Sequence, residues 1–316
     1  GTHVNQCRFG LGRASELQGD IDSARIAYQT LSAAGGSLAD DAQVQLGICL
    51  YNRGKYAEAE TSFQAAAERF PESELLGQAR YWLGMSQVAR RDWDSAVVTL
   101  QEALDQYPQH PLAPAMAFWR AEACRQRGDS ASAQEGYEQV RRNWPDSQYA
   151  DDSLQVQMQL TLADAQYDRV ISLAEQFVAQ FPDSPLMPHV GQSLARAHLK
   201  LKQFGPAIDI LKQLVASASA ANPPAAANDG EAPAVAAAAN PEEALVLQAN
   251  QYYLALAYLG EGQYQTVLEV LAKVQVTPES RASTLPRSGS GAVRPGVPVA
   301  TKTRSSPAAT GIISAR

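Results

Sequence analysis

The sequence predicts an all-α protein: a right-handed α-solenoid of about seven helix-turn-helix units, followed by a disordered C-terminal tail. Three observations predict it. The tripeptides Phe70-Pro71-Glu72, Tyr107-Pro108-Gln109, Trp144-Pro145-Asp146 and Phe181-Pro182-Asp183 recur every 37 residues. A second column (Tyr56, Trp93, Ser130, Tyr167, Phe204) keeps the same step, with Ala59, Ala96, Ala133, Val170 and Ala207 three residues further on. Within a unit, Leu46, Gly47 and Leu50, then Ala59, Phe63 and Ala66, advance by threes and fours, the spacing of one face of an α-helix.

The elements of a unit follow in order. Helix A of the best-preserved unit opens at Asp40 and stops at the polar break Asn52-Arg53-Gly54-Lys55, with Gly where a helix ends. Helix B opens at Tyr56 and closes at Phe70, because the residue before Pro71 is pushed out of α geometry. The pairs Leu46-Gly47, Leu83-Gly84 and Leu194-Ala195 put a small residue where the two backbones of a unit approach. The aromatic opening helix B is expected to fill the wedge against the neighbouring unit. Unit four departs from the pattern with Arg120-Ala121 and Ser130, and unit five has Val170 for Ala. Looser packing is expected in both.

Units one to six occupy 1–215. The first is Gly1–Leu31, read from Gly19-Asp20-Ile21-Asp22-Ser23-Ala24 and Tyr28. The seventh, 241–275, is read from Leu254-Ala255, Tyr258, Tyr264 and Leu268. Tyr264 stands 60 residues beyond Phe204 instead of 37, so an insertion intervenes. Residues 216–240 hold 13 Ala and three Pro and read as a flexible low-complexity loop. Residues 276–316 hold five Pro and no aromatic or periodic residues, and disorder is expected there.

This pattern resembles the tetratricopeptide repeat. Leu46, Gly47, Leu50, Ala59, Phe63, Ala66 and Pro71 stand at that family's offsets, although the unit is 37 residues rather than about 34. The resemblance covers roughly 1–275. It implies a stack whose A helices line a concave face that takes a protein or peptide partner. Carried over by register, the groove residues are Tyr51, Asn52, Tyr81, Met85, Phe118, Arg125, Gln159, Arg196 and Tyr252. The family's Lys/Arg/Asn clamp for a C-terminal carboxylate has no basic pair here. The 37-residue unit with its link Phe181-Pro182-Asp183-Ser184-Pro185 resembles the bacterial envelope subset, the Tol-Pal-associated and outer-membrane assembly lipoprotein types. That implies a periplasmic or envelope-associated protein, with the cytoplasm as the alternative.

Composition narrows the function classes. The net charge is −7, but residues 1–275 carry −12 and 276–316 carry +5. An acidic body is a poor match for nucleic acid, whose phosphates demand a basic face. No apolar run reaches the roughly 18 residues that span a bilayer. Cys7, Cys49 and Cys124 form neither a disulfide framework nor a zinc spacing.

Catalytic constellations are not evident, and no enzyme activity, metal or cofactor is expected. His3, His110, His189 and His198 form no ligand motif and read as structural or solvated. Gly10-Leu11-Gly12-Arg13 reads as part of the first A helix rather than a phosphate loop. Gly289-Ser290-Gly291 lies in the tail with no strand before it. Cys49 and Cys124 read as small buried thiols, with Arg125 and Arg127 leaving Cys124 as the one candidate for reactivity. The pairs Asp40-Asp41, Asp151-Asp152 and Glu242-Glu243 read as caps and first-turn acids of A helices. The function expected is a non-catalytic interaction scaffold. The alternatives are a docking arm of a larger enzyme or a self-stacking oligomer.

Overall fold

The computed structural model describes residues 2–221, 241–272 and Val274. Among them run fourteen helices in seven A/B pairs and no strand. The pairs are α1 (Thr2–Leu17) with α2 (Ile21–Ala34), α3 (Ala39–Asn52) with α4 (Tyr56–Arg69), and α5 (Leu76–Ala89) with α6 (Trp93–Gln106). Next come α7 (Ala113–Arg127) with α8 (Ser130–Asn143) and α9 (Ala150–Ala163) with α10 (Tyr167–Gln180). Last are α11 (Met187–Lys200) with α12 (Phe204–Ala221), and α13 (Pro241–Gly260) with α14 (Tyr264–Ala272). Each helix packs on the next in chain order, the arrangement of an α-solenoid. Successive A helices also touch, α3 with α5, α5 with α7, α9 with α11 and α11 with α13. The A helices are thus the crowded inner layer and the B helices the outer one.

Every unit is punctuated by the same chemistry. The A-to-B turn takes a left-handed residue at one repeat position: Gly19, Gly54, Arg91, Gly128, Ala165, Lys202 and Gly262, with φ between 57° and 87°. Four are glycine, which has no Cβ to clash there; Arg91, Ala165 and Lys202 adopt the geometry against their preference. Three B helices are then capped by Asp20, Asp92 and Asp129, which accept from the backbone N–H of Ser23, Ser95 and Ser132. At the other end Phe70, Tyr107, Trp144 and Phe181 hold ψ between 54° and 62°, outside the α region that the following Pro disfavours.

Inside each pair, a small residue on one helix faces a large one on the other. A Cβ on Gly12, Gly47 or Gly84 would stand 2.7, 2.5 or 2.5 Å from the side chains of Tyr28, Phe63 or Leu100. All three large partners are 0–1% exposed. Unit four is not looser, contrary to the expectation above. Ala121 and Tyr137 are fully buried, and the extra room comes from Gly136 on α8, whose Cβ would lie 2.7 Å from Ala121. Unit five reverses the sizes: Met158 stands on the A helix and Ala174 on the B helix, both fully buried in one cluster with Val170. The sum of volumes matters, not which helix supplies it.

A side-chain latch joins successive links. Ser73 Oγ donates to Asp40 at 2.6 Å and Ser184 Oγ to Asp151 at 2.8 Å, and each serine also accepts the N–H two residues on. In the same column His110 packs over Gly77, where a Cβ would meet its ring at 2.7 Å. The remaining member pairs Ser147 with Pro114, which offers no acceptor. Ser147 Oγ is accordingly buried without a hydrogen bond. Asp40-Asp41 and Asp151-Asp152 do lie in first turns, but they are not caps: the N-cap positions are Leu38 and Tyr149.

The insertion begins later than the composition implied. Residues 216–221 continue α12, since Ala is the best helix former and nothing at that point breaks the helix. The rest of the Ala/Pro-rich insertion (222–240) and the basic tail 276–316 lie outside the described residues.

Candidate functional site

The A-helix layer brings the nine register-derived groove residues onto successive helices but does not leave them equally accessible. Met85, Tyr81 and Tyr51 are buried, at 2, 6 and 9% exposure, and are corrected from groove residues to packing residues. The reason is the crowding of adjacent A helices: Tyr51 meets Trp82 edge-on at 5.1 Å across the unit boundary and Tyr56 at 5.2 Å. Phe118 is half-buried, stacked on Tyr149 at 5.1 Å and set against Tyr137. Asn52, Gln159, Arg196 and Tyr252 are exposed. Tyr252 occupies the same column as Val44 and Tyr81 but is 54% exposed, because among the described residues no helix pair follows it.

Sequence reasoning missed the second residue of each aromatic doublet. Tyr81-Trp82, Phe118-Trp119 and Tyr252-Tyr253 recur in register, and the second member reaches back to the preceding unit. Trp82 meets Tyr51, Trp119 packs with Val88 and Trp93, and Tyr253 lies under the Arg196 guanidinium at 5.6 Å. The doublet itself was the signal, visible in the spacing.

Arg125 is not a free cation. Glu122, 4% exposed, accepts Arg125 Nε at 2.9 Å, Gln126 Nε2 at 2.8 Å and the Tyr137 hydroxyl at 2.8 Å. Burial beside the Glu122 carboxylate pushes the Tyr137 phenol well above its ordinary range. A buried carboxylate satisfied by four donors is a structural element: it holds α7 against α8 where the Leu-Gly pair is absent.

Beyond Asn52 in unit two, the exposed inner surface lies toward the C-terminal units: Gln126, Gln159, Arg196 and Lys200, with Tyr252 and Leu256 at the edge. A separate cleft of about 690 Å³ opens on the outer layer between α6 and α8, lined by Val97, Gln101, Arg120, Arg127, Glu135, Glu138 and Arg142. On its walls Arg120, Arg127 and Arg142 balance Glu102, Glu135 and Glu138, and Arg127 already pairs with Asp94 and Asp129 and Arg142 with Glu138. No net charge remains there to draw an anion.

Other candidate chemistry resolves into structure. Cys49 and Cys124 are buried; burial pushes the Cys49 thiol up to about 12. It also raises Cys124, outweighing Arg120 and Arg127, so the thiolate needed for reactivity is disfavoured. His110 Nδ1 accepts the Leu112 N–H, and His198 pairs with Gln203. Gly12 sits inside α1, not in a loop. Among the described residues no cluster of His, Cys, Asp and Glu could hold a metal, and no helix is long and apolar enough to cross a membrane.

Two tetratricopeptide-repeat family profiles match residues 38–109 and 81–148. A search of curated protein sequences returns no match. Among solved structures, the C-terminal part of a TPR repeat-containing protein from Cytophaga hutchinsonii aligns with a TM-score of 0.65 at 12% identity, over 88% of this chain and 99% of that one. A tetratricopeptide repeat protein from Parabacteroides merdae aligns with a TM-score of 0.53 at 12% identity, over 85% and 98%. At such identities the likeness is one of fold. Residues 38–148 of this chain match tetratricopeptide-repeat profiles, and the same stacking of helix pairs continues on both sides of them.

Proposed function

We propose that the chain is a non-catalytic interaction scaffold that holds a polypeptide segment along the C-terminal half of its inner face, centred on Gln159, Arg196 and Tyr252. One observation carries this reading. At the repeat position of Met85 the inner face is closed in units three and four by Met85 and Glu122, and open in units five to seven at Gln159, Arg196 and Leu256. An amide, a guanidinium and a phenol on rigid helices suit the carbonyls, carboxylates and apolar side chains of an extended or helical segment. Tetratricopeptide repeats generally mediate protein–protein contacts, which supports the class of partner. The 37-residue unit and the Phe181–Pro185 link support a place in a bacterial envelope complex.

A photo-crosslinking amino acid at position 159 or 196 tests the reading in a bacterial envelope fraction. Controls carry it at Val98 or Val178, exposed positions on outer-layer helices. A partner captured from 159 and 196 but not from 98 and 178 supports the inner face. Equal capture from all four positions refutes it.

A further inference from the structure

The open half of the inner face carries an uneven charge. α11 packs between α9 and α13, so its open side belongs to the interior of the array and not to an end. His189, Gln192, Arg196 and Lys200 follow one another by three and four residues along α11, the spacing of one helix face. The acids of α9 and α13 stand in their first turns, at Asp151, Asp152, Glu242 and Glu243. Beyond those turns Arg196 and Lys200 are the only Asp, Glu, Lys or Arg residues of the three helices. Both are exposed.

Neither cation has an acceptor among the described residues. Elsewhere the fold supplies one: every arginine from Arg13 to Arg169 except Arg91 reaches a carboxylate, amide or carbonyl oxygen. Arg196 instead lies over the ring of Tyr253, 5.6 Å from its centre. Such stacking fixes the plane of a guanidinium and leaves its N–H edge free for a carboxylate. Lys200, one turn further along the same face, stands roughly 6 Å away by the rise of the helix. Gln159 is exposed at the same repeat position on α9, and Gln192 donates to Asn250 of α13 at 2.9 Å.

We infer that Arg196 and Lys200 anchor an acidic polypeptide segment, whose carboxylates meet them on the open inner face. The inference rests on the inner-face reading and names the chemistry of its partner. Carboxylates at the required spacing come from residues two apart in an extended segment, at roughly 6.6 Å, or four apart on a helix, at roughly 6 Å. A nucleic-acid backbone fits less well, because its phosphates recur along the whole path and neither α9 nor α13 offers a Lys or Arg. Gln155 and Gln159 beside the cations suit the amides of a peptide. The net charge of −12 over residues 1–275 disfavours an acidic segment elsewhere on the body, which confines it to these two cations.

Fluorescence anisotropy on the full chain at low salt tests it with three labelled probes of equal length: alternating Glu and Ala, alternating Gln and Ala, and oligothymidylate. The Glu peptide is expected to bind at least about fivefold more tightly than the Gln peptide, and Arg196→Gln to remove that advantage. Arg91→Gln, which deletes an exposed and equally unpaired cation from a turn, should leave binding unchanged. Circular dichroism checks that each variant keeps its helices; if Arg196→Gln does not, Lys200→Gln takes its place. No preference for Glu over Gln overturns the inference, and so does an equal loss with Arg91→Gln. Oligothymidylate binding more tightly than the Glu peptide, and through Arg196, overturns it in favour of a phosphate backbone. Photo-crosslinking at position 159 reads the inner face separately: a partner captured there without any preference for Glu removes the acidic segment and leaves the inner-face reading standing.

Discussion

The small-against-large rule inside each helix pair makes a sharp energetic prediction at Gly84 and Leu100. A Cβ on Gly84 would lie 2.5 Å from one Leu100 methyl carbon and 2.6 Å from its Cγ. Carbon atoms rest about 3.5–4 Å apart, so roughly 1 Å of displacement is required of a side chain with no free volume around it. Overpacking of that kind costs about 1–3 kcal/mol, against about 1 kcal/mol gained from replacing Gly with Ala in a helix. Gly84→Ala should therefore destabilise by about 1 kcal/mol. Leu100→Ala, at a fully buried position, should cost about 2–5 kcal/mol through the cavity it leaves. In the double variant the new methyl enters that cavity. The steric cost disappears and the helix-propensity gain remains, so the combined loss should fall short of the sum by about 1–3 kcal/mol. Urea unfolding followed by far-ultraviolet circular dichroism measures all three. Hydrogen exchange of α5 and α6 amides guards against unit-by-unit melting, to which repeat arrays are prone. Additivity of the two substitutions within about 0.5 kcal/mol would refute the reasoning, because it would mean the two positions do not share a volume.

Three further outcomes are expected. Arg91→Gly and Ala165→Gly relieve left-handed backbone and should each stabilise by about 0.5–1 kcal/mol, while Gly128→Ala should cost about 1 kcal/mol, read as shifts in urea midpoint. Ser184→Ala removes the latch to Asp151 and should cost about 1 kcal/mol, whereas Ser147→Ala removes an unsatisfied hydroxyl and should be neutral or stabilising by up to about 1 kcal/mol. Burial, reinforced by Asp151, holds the Asp152 carboxyl above its ordinary value of 3.8. The folded state then binds more protons than the unfolded chain between 3.8 and that raised value, so stability falls as pH rises through the window. Asp152→Asn should be more stable than the parent at neutral pH, with the difference vanishing below the unfolded value; an equal difference at both pH values would argue against the mechanism.

Much of the architecture was legible because its causes are local and repeat. Pro71, Pro108, Pro145 and Pro182 act on the residue before them, wherever the rest of the chain goes, and the four non-helical C-caps follow. Apolar steps of three and four mark the buried stripe of a helix for the same reason. The Leu-Gly column could be read as a close approach, although the chain also meets that need with Gly136 and with the Met158–Ala174 reversal. Those solutions depend on the partner helix, and no single column of the sequence displays them.

The candidate site was less legible. Register assigned Tyr51, Tyr81 and Met85 to an inner face, and they do lie on inner helices. Whether an inner side chain is open depends on how closely consecutive A helices approach, which is set by residues 37 positions away and by the curvature of the whole stack. Arg125 looked like a free cation until the fold gathered it, Gln126 and the Tyr137 hydroxyl of α8 around the Glu122 carboxylate. The sequence alone determined the number of units, their helix pairs, their turns and their stops, because each rests on short-range steric rules. Only the tertiary structure decided which aromatic of each doublet packs backward, which serine lacks a partner and which units keep an open inner face. Those outcomes are set by contacts between units, and a periodic sequence specifies such contacts only once the units have stacked.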